Sequence, residues 1–141
     1  MSTWMQKRCL TKEKNKMEAE IKGMNSLAQS IHAINREKGF WDQERNIGEM
    51  LMLITSELGE AMEAHRKGKF ANWDAYAKAL NKPEQEDAFK QHIKDSFEDE
   101  ITDALIRILD MAAGLEINLE KHLEAKIGFN KLRPRLHGKK Y

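Results

Sequence analysis

Two pairs of acidic residues, Glu57 with Glu60 and Glu100 with Asp103, stand three residues apart inside stretches that are otherwise apolar at helical spacing. This pattern constrains the fold more than any other feature of the chain. At about 100° per residue, Glu60 falls about 60° from Glu57, on the face that also carries Met50, Leu53, Ile54, Ala61 and Ala64. Glu63 points the opposite way and reads as a surface charge. The second segment repeats the arrangement. Ile93, Phe97, Ala104 and Met111 share a face with Glu100 and Asp103, and Arg107 lies there too, with Asp110 at its edge.

A carboxylate in a core costs several kcal/mol unless it is paired, or it takes up a proton. Two such pairs on facing helices repel unless something cationic lies between them. Mg²⁺ meets that need: it is a hard ion that prefers carboxylate oxygens and completes its shell with water and substrate phosphate. Lys or Arg from a neighbouring helix would serve instead if the acids were only structural. A di-iron carboxylate bundle needs Glu-x-x-His pairs. The residues three before His32, His65, His92, His122 and His137 are Gln29, Met62, Phe89, Leu119 and Pro134, none of them acidic. Zinc is disfavoured by the same shortage of nitrogen and sulfur ligands.

The rest of the chain reads as all-α. It has two prolines, Pro83 and Pro134, and 141 residues, the size of one domain. Residues 1–12 read as a loose basic tail, and 13–141 as one domain. A first helix is expected over about 13–37, with Met17, Ile21, Met24, Leu27, Ala28, Ile31 and Ile34 as its apolar stripe and Gly39 as its stop. A second is expected over about 46–66, ending before Gly68. A short helix fits 73–80. A third helix starts near Pro83, has a candidate break at Ser96 and ends at Gly114. A fourth, capped by Asn118, covers about 119–131. Four helices with short connections point to an antiparallel four-helix bundle.

The net charge of +1 gives no sign of a nucleic-acid polymer as partner. No apolar run is long enough to span a bilayer, and the N-terminus lacks the apolar stretch of a secretory signal. Cys9, the single cysteine, forms no internal disulfide and has no zinc pattern around it. A reducing cytoplasm is the expected location.

The segments Ser56-Glu57-Leu-Gly-Glu60-Ala and Asp99-Glu100-Ile-Thr-Asp103-Ala, followed by Lys126-xxx-Asn130-xx-Arg133, resemble the MazG-type all-α nucleoside triphosphate pyrophosphohydrolases. The resemblance covers roughly residues 24–141 and extends to the basic ending. It implies a MazG-like bundle that cleaves a nucleoside triphosphate to the monophosphate and pyrophosphate. It implies Mg²⁺, with Mn²⁺ as a substitute, on Glu57, Glu60, Glu100 and Asp103. One of Glu57, Glu60 or Glu100 would activate the attacking water, and Lys126, Asn130 and Arg133 would contact the substrate. It also implies a homodimer or homotetramer with composite active sites. The stretch from Glu60 to Glu100 is longer than is common in that family, so an insertion is expected around 67–95. It would pack on the bundle, extend an oligomer interface or cover the nucleotide.

Trp41, just before the acid helix, is a candidate for stacking on a base, or else a core anchor. His32 reads as a satisfied core histidine or a base contact. Arg107 reads as a charge partner of Glu100 or Asp103, or a phosphate contact. Asp110 extends the metal site or forms a salt bridge, and Lys139 and Lys140 reach phosphate or stay solvated. Two other classes of function remain open on the residues alone. One is a helical interaction module with structural acid pairs, and the other a nucleotide-binding regulator without turnover.

Overall fold

In a computed structural model of the chain, the described residues are 16, 19–80 and 85–134. They form helices and connections, with no strand. The tail at 1–12, Cys9, Met17, Pro83, Lys139 and Lys140 lie outside them. The helices are α1 (Met24–Glu37), α2 (Ile47–Arg66), α3 (Trp73–Ala79), α4 (Gln85–His92), α5 (Phe97–Gly114) and α6 (Leu119–Lys131).

Local chemistry sets most of these boundaries. Asn46, Asn72, Ser96 and Asn118 each accept a backbone N–H from three residues ahead, satisfying a donor that the first helical turn leaves free. Gly39 and Gly68 take positive φ at the ends of α1 and α2. There the next N–H reaches back to Asn35 O at 3.1 Å and to Ala64 O at 2.9 Å, closing each helix with a Schellman turn. At the end of α5 the same turn is made by Glu116, a non-glycine residue at φ 56°.

The first helix departs from expectation. Residues 19–21 are helical, but α1 proper starts only at Met24, because Gly23 adopts φ 99°. The break is held from α6: Glu120 Oε1 accepts the N–H of Gly23 at 2.9 Å and of Asn25 at 3.1 Å. Asn25 Oδ1 in return accepts the Leu119 N–H at 2.9 Å, and Asn25 Nδ2 donates to Asn118 Oδ1. Two helix N-termini thus start side by side, and Glu120 offsets the positive ends of both dipoles.

Helix α5 is the centre of the packing. One side meets α2 and the other meets α1, while α6 rests mainly on α1. Between α1 and α5 the core is Ala28, Leu109 and Ala113, closed by Met24, Ile31 and Leu119. Among the described residues, seven of the eleven buried hydrophobics are alanines. Small side chains let the helices approach closely but remove little apolar surface each. Ser96 breaks the third helix as the sequence allows, separating α4 from α5. The described start of the 67–95 stretch is fastened to α5, where Phe97 donates its N–H to Lys69 O and Glu98 Oε2 accepts the N–H of Ala71, and Asn72 donates its N–H to His92 O within the stretch. Phe70 and Phe97 pack edge-on with each other and with His65.

The residues at the end of α5 generate two predictions of opposite sign. A Cβ on Gly114 would lie 2.3 Å from Trp41 Cη2, so Gly114→Ala must push the indole out and should destabilise the protein by about 1–3 kcal/mol despite better helix propensity. Glu116→Gly relieves the left-handed strain and should stabilise by about 1 kcal/mol. Urea denaturation of both variants checks this pair.

Candidate metal centre

Helices α2 and α5 bring three of the expected acids together. Glu57, Glu60 and Glu100 each offer a carboxylate oxygen, and these atoms lie within 4.8 Å of one another. This arrangement could hold a metal ion. Glu57 and Glu100 are 7% and 5% exposed, whereas Glu60 sits at the solvent rim. Asp103, one turn beyond Glu100, is half-buried and lines an adjoining cleft instead.

The electrostatics are unbalanced. Arg107 Nε donates to Glu57 Oε1 at 2.6 Å, giving that carboxylate one cationic partner. Among the described residues, no hydrogen bond or ion pair reaches the Glu100 carboxylate. Burial pushes the Glu100 carboxyl up to about 7, reinforced by the charges of Glu60, Glu57, Asp103 and Asp99. Burial likewise raises Asp103, with Asp99 and Glu57 adding to the effect and Arg107 opposing it. A cluster with one guanidinium for several carboxylates is suited to a further cation.

The cleft, of about 210 Å³, is lined by Asp103, Arg107 and Asp110 of α5, Asn35 of α1, and Phe40 and Arg45 of the α1–α2 connection, among others. Asp110 is turned away from the acid cluster. Its carboxylate accepts the Trp41 indole N–H at 3.0 and 3.1 Å, and His32 Nδ1 lies 2.8 Å away. His32 meets the Trp41 ring edge-on at 4.6 Å, and the Arg45 guanidinium lies 5.8 Å from the ring centre. Trp41 is thus an anchor behind the cleft wall, joined to α5 at Asp110 and Gly114.

The structure places Lys126 and Asn130 on α6 and Arg133 just beyond its end, and none of the three lines the cleft. The cations of Lys126 and Arg133 lie 5.6 and 5.8 Å from the Phe129 ring centre, and Asn130 Oδ1 is buried without a hydrogen-bond partner. Four cleft residues, Asn35, Phe40, Arg45 and Ile106, have no role assigned from the sequence. Arg45 left a usable signal: it is the last cation before the acid helix, beside the Phe40-Trp41 aromatic pair. No protein-family model, curated protein or solved structure matches the chain.

The raised Glu100 makes a prediction about pH. A carboxyl that folds to a higher value holds more protons folded than unfolded between its ordinary 4.5 and about 7. Without metal, its contribution should therefore cost stability as pH rises through that window. Glu100→Gln should melt higher than the wild type at pH 8 in chelator and show a flatter stability profile from pH 5 to 8. A wild-type melting temperature that rises over that range in parallel with the variant would refute the assignment.

Proposed function

We propose that the protein is a Mg²⁺-dependent nucleoside triphosphate pyrophosphohydrolase of MazG type, acting in the reducing cytoplasm on the nucleotide pool. The observation that carries this reading is Glu100: a buried carboxylate that no hydrogen bond or ion pair reaches among the described residues, facing Glu57 and Glu60 beside a cleft that holds two arginines. The donor set fits a hard divalent cation, since it is all carboxylate oxygen with no nitrogen or sulfur ligand. Glu57, Glu60 and Glu100 would hold Mg²⁺, or Mn²⁺ in its place, with Asp103 on the cleft side. When bound, the ion polarises phosphate oxygens and lowers the pKa of the attacking water.

The chain's residues supply the rest. Water adds to the α-phosphorus, the bond from that phosphorus to the bridging oxygen of the β-phosphate breaks, and pyrophosphate leaves with the electron pair. One of Glu57, Glu60 or Glu100 accepts the proton from the water. Arg45 and Arg107 face the cleft as counter-charges for the phosphates. Phe40 and Met50 offer apolar surface for the nucleoside.

The proposed assembly is a homodimer or homotetramer that completes a four-helix, MazG-like bundle. Leu51, Leu58 and Met62 form an exposed stripe on α2, and Ile101, Leu105 and Ile108 form one on α5. Large apolar faces of this kind, with few large buried side chains among the described residues, fit association. A second copy is also the route by which Lys126, Asn130 and Arg133 would reach a phosphate, since they do not line the cleft of their own copy. A second reading, a helical interaction module with structural acids, draws support from the Arg107–Glu57 ion pair, which neutralises one carboxylate without any metal.

Pyrophosphate release from a panel of nucleoside triphosphates tests the proposal. Glu57→Gln and Glu100→Gln should each lower kcat by at least about 100-fold, as loss of one charge-stabilising group does elsewhere. Mg²⁺ should raise the melting temperature of the wild type and not of the double variant. Unchanged turnover in both single variants excludes the catalytic assignment. Nucleotide binding with no pyrophosphate release would favour a regulator.

A further inference from the structure

The acid cluster already contains one cation, and it belongs to the chain. Arg107 lies seven residues beyond Glu100 and four beyond Asp103, so the rotation of α5 puts all three on one stripe. Its contact with Glu57 runs through Nε, not through the paired terminal nitrogens that make the strongest arginine–carboxylate fork. The two partners also differ in freedom. The Glu57 side chain is 9% exposed, while Arg107 is 42% exposed and borders the cleft. The carboxylate is enclosed by the interface, and the guanidinium has open space beside it.

We propose that Arg107 is an internal stand-in cation, which holds Glu57 while the cluster lacks a divalent ion and is released into the cleft when Glu57 turns to one. This inference rests on the metal-centre reading and adds a device to it. Glu57 is one of the three carboxylates close enough to share an ion, so guanidinium and metal compete for the same group. Arg107 lowers metal affinity but spares the cluster the cost of an unpartnered Glu57 when it is empty. Once released, it adds a positive charge to a cleft that already holds Arg45, so that a loaded centre takes a phosphate anion more tightly than an empty one. Arg107 is in this sense a positioning residue for the acids and a contact for the anion.

Calorimetric titration of the full-length protein with Mg²⁺ alone tests the competition. Arg107→Gln should bind the ion about tenfold more tightly than the wild type, the strength of one hydrogen bond to a charged group. Arg45→Gln removes the same charge from the same cleft without touching an acid. It should change affinity by no more than about threefold, because solvent and salt screen it. In chelator Arg107→Gln should melt below the wild type, and the gap should close at saturating Mg²⁺. A purely structural bridge would leave the same gap under both conditions. At saturating Mg²⁺ the variant should bind inorganic pyrophosphate about tenfold more weakly.

Equal or weaker Mg²⁺ binding by Arg107→Gln, or an equal gain in Arg45→Gln, overturns the stand-in role while leaving the metal centre intact. Unchanged pyrophosphate affinity overturns the release into the cleft. A wild type that binds no Mg²⁺ brings down the metal centre and this inference together.

Discussion

The structure depends on how α2 and α5 tolerate each other. Their interface places Glu57 and Glu100, both nearly removed from solvent, face to face among alanines. A close-packed helix pair gains stability from contact, yet here the contact drives like charges together in a medium that screens them poorly. The chain answers in three ways. Arg107 takes Glu57, Glu60 stays at the wet rim, and Glu100 holds its proton up to about pH 7. Each is a partial answer, and a divalent ion would replace all three at once. Under the proposed function, stability would then report on whether the cluster holds a metal ion.

The alanine-rich contact has a second consequence. Ala61, Ala64 and Ala104 let the helices approach, but among the described residues the large buried hydrophobics are only Met50, Ile54, Ile93 and Leu109. The bulky apolar side chains instead stand on outer faces, Leu51, Leu58 and Met62 on α2 among them. The described residues of a single copy therefore bury little apolar surface for their number, and small cores are marginal. In the proposed oligomer the same outer faces become core, and α6, whose residues include none that is fully buried, gains the neighbours it lacks. Stability and the composition of the active site would then both depend on association.

The parts legible in the sequence are those that local chemistry decides. Asn118 marked a helix start and Ser96 a break, because a side-chain acceptor at the first turn satisfies a free backbone donor. The rotation of Glu57, Glu60 and Glu100 onto apolar faces follows from helical geometry alone, and the three do converge. Contacts between distant segments were less legible. Gly23 sits within an unbroken apolar stripe, so nothing nearby announces that Glu120, 97 residues away, holds its N–H and ends the helix. Asp103 has the same spacing from Glu100 as Glu60 from Glu57, yet it borders the cleft. Spacing fixes the face of a helix, not which neighbour that face meets. The partner of Arg107 was equally open: α5 offered Glu100 and Asp103, and the structure pairs it with Glu57 across the interface.

One stripe of α5 ties the cleft to the acids. Glu100, Asp103, Arg107, Asp110 and Gly114 follow at three- and four-residue steps. Glu100 faces the cluster, Asp103 and Arg107 stand between cluster and cleft, and Asp110 and Gly114 receive Trp41. The Trp41 anchor is specific in both chemistry and shape, because the indole N–H needs the Asp110 carboxylate and the ring needs the missing Cβ of Gly114. It fixes the connection that carries Phe40 and Arg45 to the helix that carries the acids. The wall of the cleft and the floor of the candidate metal centre therefore share one helix, and Arg107, the exposed charge on that stripe, is the group proposed to move between them.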